Sequence, residues 1–139
     1  MLKISTATLL AAVLVTLLAV SVSAQRPVKT VASTRDIMKS MTIPLSDAVF
    51  EAAGEAPKDA AGWDTVRQKS AALAEAGNLL MIGSRVRDQK EWMQFAQAQV
   101  DAAAAVVKAA TAKNADELSK AGDALYETCA TCHAKYMAK

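Results

Sequence analysis

The chain has 139 residues, of which 16 are Lys or Arg and 14 are Asp or Glu, so the net charge is only +2. This length corresponds to one domain. The balanced charge and the aromatic content of 4% argue against a phosphate-binding surface and against base-stacking platforms, so we expect no nucleic-acid partner. Two cysteines and one histidine are too few for a four-ligand zinc site or a multi-disulfide scaffold.

Residues 1–24 have the order of a secretory signal peptide. One charge at Lys3 precedes an apolar run from about Ile4 to Val20, and a stretch of small residues ends at Ala24. The alternative is a transmembrane anchor, because the run counted to Ala24 just reaches the ~20 residues that span a bilayer. Ser and Thr dilute the run, and no Lys/Arg cluster precedes it. We therefore expect cleavage after Ala24, export to the periplasm, and no stable membrane insertion of the mature domain, residues 25–139.

The mature chain is rich in Ala, has apolar residues at helical spacing and contains almost no strand signal. Four helices are predicted: residues 33–53, a second from between 59 and 64 to 82, then 88–112 and 114–136. Helices of this length joined by short linkers stack antiparallel. The expected fold is therefore all-α, an antiparallel up-and-down four-helix bundle. The alternative is an irregular domain of three or four helices.

Two residues disturb the regular helical pattern. Pro44 lies inside the first predicted helix and lacks a backbone donor, so we expect this helix to be kinked or broken near Pro44. Gly77 lies inside the second predicted helix, where Gly costs ~1 kcal/mol against Ala, so we expect a close approach of a bulky group. The predicted core stripe of the first helix is Met38, Met41, Leu45, Ala48 and Ala52.

Residues 129–133 read Cys-Ala-Thr-Cys-His, which is the C-x-x-C-H attachment motif of one covalently bound haem c. Two thiols about one helical turn apart can form thioethers with the two haem vinyl groups, and the next residue presents an imidazole to the iron. Cys129 and Cys132 fall on the predicted core stripe of the last helix, in register with Leu118 and Leu125. The sequence therefore predicts Cys129 and Cys132 as haem-binding residues and His133 as the proximal iron ligand.

Three other interpretations of the two cysteines are weaker. A redox dithiol is typical of a helix that follows a strand, whereas this motif lies near the end of a helix. A zinc ion needs more ligands than the chain has left. A disulfide between residues i and i+3 of a helix is geometrically awkward.

The second axial ligand is less determined by the sequence. His133 is the only histidine, so methionine is the remaining good ligand. Met38 and Met41 in the first helix, Met81 in the second and Met93 in the third are all candidates, and each could equally fill the core.

The chain resembles class II c-type cytochromes, the four-helix family that contains cytochrome c prime and its low-spin, methionine-ligated relatives. The residues that carry the resemblance are Cys-Ala-Thr-Cys-His-Ala-Lys-Tyr at 129–136 and Arg35-Asp36-Ile37-Met38 in the first helix. The resemblance implies that Arg35 contacts a haem propionate and that Met38 faces the sixth iron position. Two departures are Met137, which follows Tyr136 where many members have a basic residue, and Pro44, which can bring Met41 into the site.

The resulting functional expectation is a one-electron carrier with redox partner proteins, and not an enzyme. The alternative within the same family is a five-coordinate protein that binds NO or CO, and the less favoured one is an exported C-x-x-C dithiol protein. The family often forms homodimers through its first two helices, although this chain has no apolar stripe left over for such a contact. We expect Tyr136 near the haem edge. The residues expected to wall the haem are Leu45, Leu73, Leu80, Val100 and Leu125.

Overall fold

A computed structural model describes residues 28–137 of the chain. The predicted signal peptide, residues 1–24, lies outside this range, so its prediction stays untested. Within residues 28–137 no helix is both long and apolar enough to cross a bilayer.

Helices make up nearly all of the described residues, and there is no strand among them. The first bundle helix runs through α1 (Thr34–Ile37), a π-helical turn (Met38–Thr42) and α2 (Ile43–Gly54). It is followed by α3 (Ala60–Leu80), a short 3-10 turn (Gly83–Arg85), α4 (Glu91–Ala112) and α5 (Ala115–Tyr136). The predicted number of helices and their approximate bounds are confirmed.

Polar caps fix where these helices begin. The Ser33 hydroxyl accepts the Asp36 N–H while the Asp36 carboxylate accepts the Ser33 N–H, which forms a capping box at α1. Asp59 caps α3 through the Gly62 N–H, and Asn114 caps α5 through the Glu117 N–H. These side chains satisfy donors that a helix N-terminus otherwise leaves without partners.

Contacts between neighbouring helices establish their antiparallel order. Trp92 at the start of α4 donates to the carbonyl of Leu80 at the end of α3. Lys135 at the end of α5 pairs with Glu91 at the start of α4. Consecutive helices therefore run in opposite directions, and α5 packs back against the first bundle helix. The predicted all-α bundle is confirmed.

The disturbance at Pro44 is a π-helical turn and not a break. Pro44 cannot donate a backbone hydrogen bond, and its ring needs room beside the preceding turn. The helix widens just before it, so that the Ile43 N–H donates to the Met38 carbonyl, five residues back. The helix then continues to Gly54.

The extra residue of the wide turn changes which side chains are buried. The predicted stripe is only partly buried apart from Ala52, because the regular period on which it was based does not hold across the π turn. The buried side chains of the first bundle helix are instead Ile37, Thr42, Ser46, Val49 and Ala52.

Glycines set the closest helix approaches. A Cβ on Gly77 would lie 2.8 Å from Val100 Cγ2 on α4, which is the packing reason expected for this residue. A Cβ on Gly122 would lie 2.5 Å from the Cβ of Ala53, where α5 meets the first bundle helix. Both distances are too short for real carbon atoms, so only glycine permits these contacts.

Gly122→Ala should therefore force α5 away from Ala53 and lower the free energy of unfolding by about 1–3 kcal/mol. Urea denaturation of the purified variant measures this. Gly54→Ala is the matched control, because nothing lies within 4 Å of a Cβ there. It should raise the free energy of unfolding by about 0.4–1 kcal/mol, since Ala restricts the unfolded chain more than Gly does. Equal effects of the two substitutions would contradict the packing role of Gly122.

Candidate functional site

An apolar cavity of about 180 Å³ lies between the first bundle helix and α5. The C-terminal end of α3 and the N-terminal end of α4 meet at Leu80 and Trp92, and these two residues also line the cavity. The first bundle helix contributes Met38, Thr42, Ile43, Ser46 and Phe50 to the lining; α3 and α4 contribute Leu80, Trp92, Phe95, Ala96 and Gln99; α5 contributes Tyr126, Thr128, Cys129, Cys132 and His133.

The structure brings the whole C-x-x-C-H motif to this cavity. Cys129 and Cys132 are half-buried, carry free thiols and lie one turn apart on the same face of α5. His133 is mostly exposed but still lines the cavity edge. The helix continues three residues past His133, so backbone hydrogen bonds hold all three side chains on a rigid element.

The surroundings keep both thiols protonated at neutral pH. Burial raises the pKa of the Cys129 thiol, although a hydrogen bond from Thr128 partly opposes this. Burial also raises the pKa of the Cys132 thiol, and the neighbouring Cys129 adds to the effect. The two cysteines are therefore poor thiolate nucleophiles, unlike the cysteines of redox dithiol motifs.

Met38 is the one methionine within residues 28–137 that lines the cavity. It lies on the first bundle helix, on the wall that faces α5. Met41, Met81 and Met93 do not line it, although all four methionines pack against a small buried cluster around Ile37. Met38 thus keeps its place as the predicted sixth ligand, whereas Met41 is not positioned to share that role.

Arg35 is not brought to the cavity. Its side chain is exposed and lies on α1, one turn before Met38. The propionate contact that the family resemblance implies for Arg35 stays a prediction.

Leu80 is the only one of the five expected wall residues that lines the cavity. Leu73 and Leu125 are fully buried in the main core, and Leu45 is packed against that core. Val100 contacts Gly77 on α3. The expectation for these four residues was wrong. A repeat of apolar positions every seven residues predicts which side chains are buried, but it does not predict whether they lie in the main core or line the cavity.

Aromatic side chains form most of the wall that the sequence analysis missed. Phe50 and Tyr126 meet edge to face across the helix pair, with ring centroids 6.0 Å apart. Trp92 and Phe95 from α4 line the opposite side. The chain has only six Phe, Trp and Tyr residues, and four of them line this one cavity. Their rarity in the sequence is the signal that could have singled them out.

Tyr136 lies behind this wall rather than in it. Its ring packs edge to face on Trp92 at 5.0 Å, and its hydroxyl donates a hydrogen bond to the Asp88 carboxylate. This bond lowers the pKa of Asp88 to about 2. Desolvation and the Asp88 charge raise the pKa of Tyr136 to about 12. The contact ties the end of α5, with its C-x-x-C-H motif, to the start of α4.

The residues present fit a haem. Two thiols, an imidazole and a thioether line one apolar space, and that donor set matches covalent attachment with two axial ligands. The cavity, about 180 Å³, is smaller than the roughly 300–1,000 Å³ typical of small-molecule sites, so a haem would need the walls to move apart. Within residues 28–137 no group of three or more His, Cys, Asp and Glu could hold a bare metal ion.

Comparison with known proteins adds no relative. No protein-family model, curated protein sequence or solved structure matches this chain.

Tyr136→Phe should make the stability of the protein less dependent on pH. Because the folded pKa of Asp88 is about 2 against an ordinary 3.8, its stabilising effect is present above pH 4 and is lost as the pH falls towards 2. The variant should unfold at lower urea concentration than the wild type at about pH 6, and the gap should narrow at about pH 2.5. Tyr126→Phe is the control, because Tyr126 is exposed and its hydroxyl has no carboxylate partner within the described residues. A gap that is the same at both pH values would refute the Asp88 contact.

Proposed function

We propose that the mature chain is an exported monohaem c-type cytochrome that carries single electrons between redox partner proteins. One observation carries the proposal: Cys129, Cys132 and His133 on α5 and Met38 on the first bundle helix line the same apolar cavity. A C-x-x-C-H motif on the polar surface of a helix would have no room for a large apolar ring. Here the motif lines an apolar cavity of a four-helix bundle.

Each side chain has a separate role in this proposal. Cys129 and Cys132 would hold the haem covalently, each by adding its S–H across a vinyl group, so that a sulfur–carbon bond forms and the thiol hydrogen moves to the adjacent carbon. His133 would supply a ring nitrogen to the iron, and Met38 would supply its thioether sulfur. When bound, the haem supplies the one-electron iron couple, and a Met ligand favours the reduced form and raises its potential.

The dithiol alternative has less support. Thiol–disulfide exchange proceeds through a thiolate, and the catalytic cysteines of such proteins have lowered pKa values. Burial acts in the opposite direction on Cys129 and Cys132. Addition of protonated thiols to haem vinyl groups inside an apolar cavity is consistent with that burial.

The second candidate function is the binding of a gas such as NO or CO at a five-coordinate haem. The observation that favours it is Thr42, whose buried hydroxyl lines the cavity without a partner in the described part of the chain. The two functions differ in whether the Met38 sulfur binds the iron. Absorption spectra of the oxidised, reduced and carbon monoxide-treated protein distinguish them.

Met38→Ala should convert the protein from one spectral class to the other. We expect the wild type, produced with haem maturation in the export compartment, to have a low-spin spectrum that does not respond to carbon monoxide. The variant should have a high-spin spectrum that shifts when carbon monoxide is added to the reduced form, because the sixth position is then open.

Met41→Ala is the matched control, because Met41 is a methionine of the same helix that does not line the cavity. Its spectrum should be that of the wild type. If Met38→Ala leaves the spectrum unchanged, Met38 is not the ligand. If the wild type itself is high-spin and binds carbon monoxide, the gas-binding function replaces electron transfer.

Replacement of motif residues tests the haem itself. His133→Ala and the double variant Cys129→Ala/Cys132→Ala should reduce covalently bound haem from about one per chain to background, as measured by pyridine haemochrome absorbance after acid–acetone extraction. Thr131→Ala is the control, because Thr131 lies inside the motif but its exposed hydroxyl only bonds the Glu127 carbonyl. A wild type without haem, whose His133→Ala variant retains thiol–disulfide exchange, would instead establish the dithiol function.

A further inference from the structure

The hydroxyl of Thr42, in the π turn, lacks the hydrogen bond that comparable side chains make. Seven other helical Ser and Thr side chains in residues 28–137, among them Ser46 and Ser70, donate to a carbonyl three or four residues earlier. For Thr42 the carbonyl four residues back is that of Met38, which accepts the Ile43 N–H across the wide turn. Thr42 Oγ1 has no hydrogen-bond partner among the described residues.

Bulk solvent hardly reaches this side chain, because Thr42 is only 5% exposed. A buried hydroxyl without a partner is unfavourable, and folded proteins rarely keep one. Thr42 lines the apolar cavity. The residue with the unused donor therefore lies beside whatever occupies that cavity.

The other aliphatic hydroxyls and the amide of the cavity wall are already engaged. Ser46 donates to the Ile43 carbonyl at 3.0 Å, and Thr128 donates to the Leu125 carbonyl at 2.7 Å. Gln99 Nε2 donates to the Leu73 carbonyl at 3.3 Å. Thr42 is thus the one buried donor of this wall that is available to an occupant.

The position of Thr42 defines which occupant it can reach. It is four residues after Met38 on the wall that faces α5, and His133 lies on α5 itself. A haem held by Cys129, Cys132 and His133 would share this cavity with Met38 and Thr42.

We propose that Thr42 Oγ1 donates a hydrogen bond to a small exogenous ligand that binds the iron in place of Met38. The ligand class is water or a di- or triatomic molecule whose outer atom is oxygen or nitrogen, since such an atom accepts a hydrogen bond. This inference depends on the proposed haem, but not on electron transfer as the function. It gives the cavity a second, ligand-binding state beside the one in which Met38 coordinates.

Cyanide is the probe, because it binds oxidised haem iron through carbon and presents an outer nitrogen. Thr42→Val keeps the shape of the side chain and removes the hydroxyl. In the holoprotein its cyanide dissociation constant should rise about five- to tenfold, which is the effect of one hydrogen bond. In a Met38→Ala background, where the reduced protein is expected to bind carbon monoxide, the C–O stretching frequency should also rise, because the donor that polarises the bound ligand is gone.

Three comparisons complete the test. Ser46→Ala removes a cavity hydroxyl that is already engaged, so its dissociation constant should stay at the wild-type value. Thr42→Ser restores a hydroxyl and should recover tight binding. The comparison is repeated in a Met38→Ala background, where the Met38 thioether no longer competes with cyanide for the iron. The ratio of the two cyanide dissociation constants, with and without Thr42→Val, should be the same there. An effect of Thr42→Val on the Met38–iron bond cannot then account for the result.

The outcomes separate the two proposals. In haem-containing protein, Thr42→Val could leave the cyanide affinity unchanged in both backgrounds and the C–O frequency unchanged in the Met38→Ala background. That result would overturn the role of Thr42 and leave the cytochrome function intact. A wild-type chain that takes up no haem would overturn the cytochrome function and this inference together. If Thr42→Val fails to fold, the Thr42→Ser and Thr42→Ala pair gives the same contrast.

Discussion

Pro44 has no backbone N–H, and the way in which the first bundle helix passes it sets the geometry of the cavity wall. The helix gains one residue in the π turn, so the buried side chains Ile37 and Thr42 are five residues apart, whereas Ser46 and Val49 follow at ordinary helical spacing. Within the same turn the Met38 carbonyl accepts the Ile43 N–H, and the Thr42 hydroxyl has no partner among the described residues. π turns of this kind are frequent at functional sites.

The bundle around this wall is tight at one end and open at the other. Gly122 allows α5 to approach Ala53 closely, whereas the region between Met38 and His133 contains the cavity. Protein interiors are normally close-packed, and an unfilled apolar space loses dispersion contacts. A large apolar group in this space would recover those contacts, and bundles commonly build cofactor sites between facing helices.

The sequence predicted the regular features of the fold because local chemistry determines them. Ser33 and Asn114 are good caps, and both begin helices as expected. The C-x-x-C-H motif faces the interior because its register follows that of α5. The buried role of Thr42 was not predictable in this way, since a regular period assigns Thr42 to another face and a polar residue is usually assigned to solvent. The contribution of Trp92 was also missed: it lies beside Met93, which was the side chain named as a candidate in this helix.

The two chemistries proposed for the cavity depend on neighbouring turns of one helix. The Met38 thioether and the Thr42 hydroxyl lie on the same wall, but a sulfur ligand and an exogenous ligand cannot occupy the sixth iron position together. Whether the protein transfers electrons or binds a small molecule is then a competition between an intramolecular ligand, whose effective concentration the helix fixes, and a diffusing ligand that Thr42 stabilises. Both side chains are held by the turn that precedes Pro44. A change in that turn would therefore alter the balance between the two states without touching Cys129, Cys132 or His133.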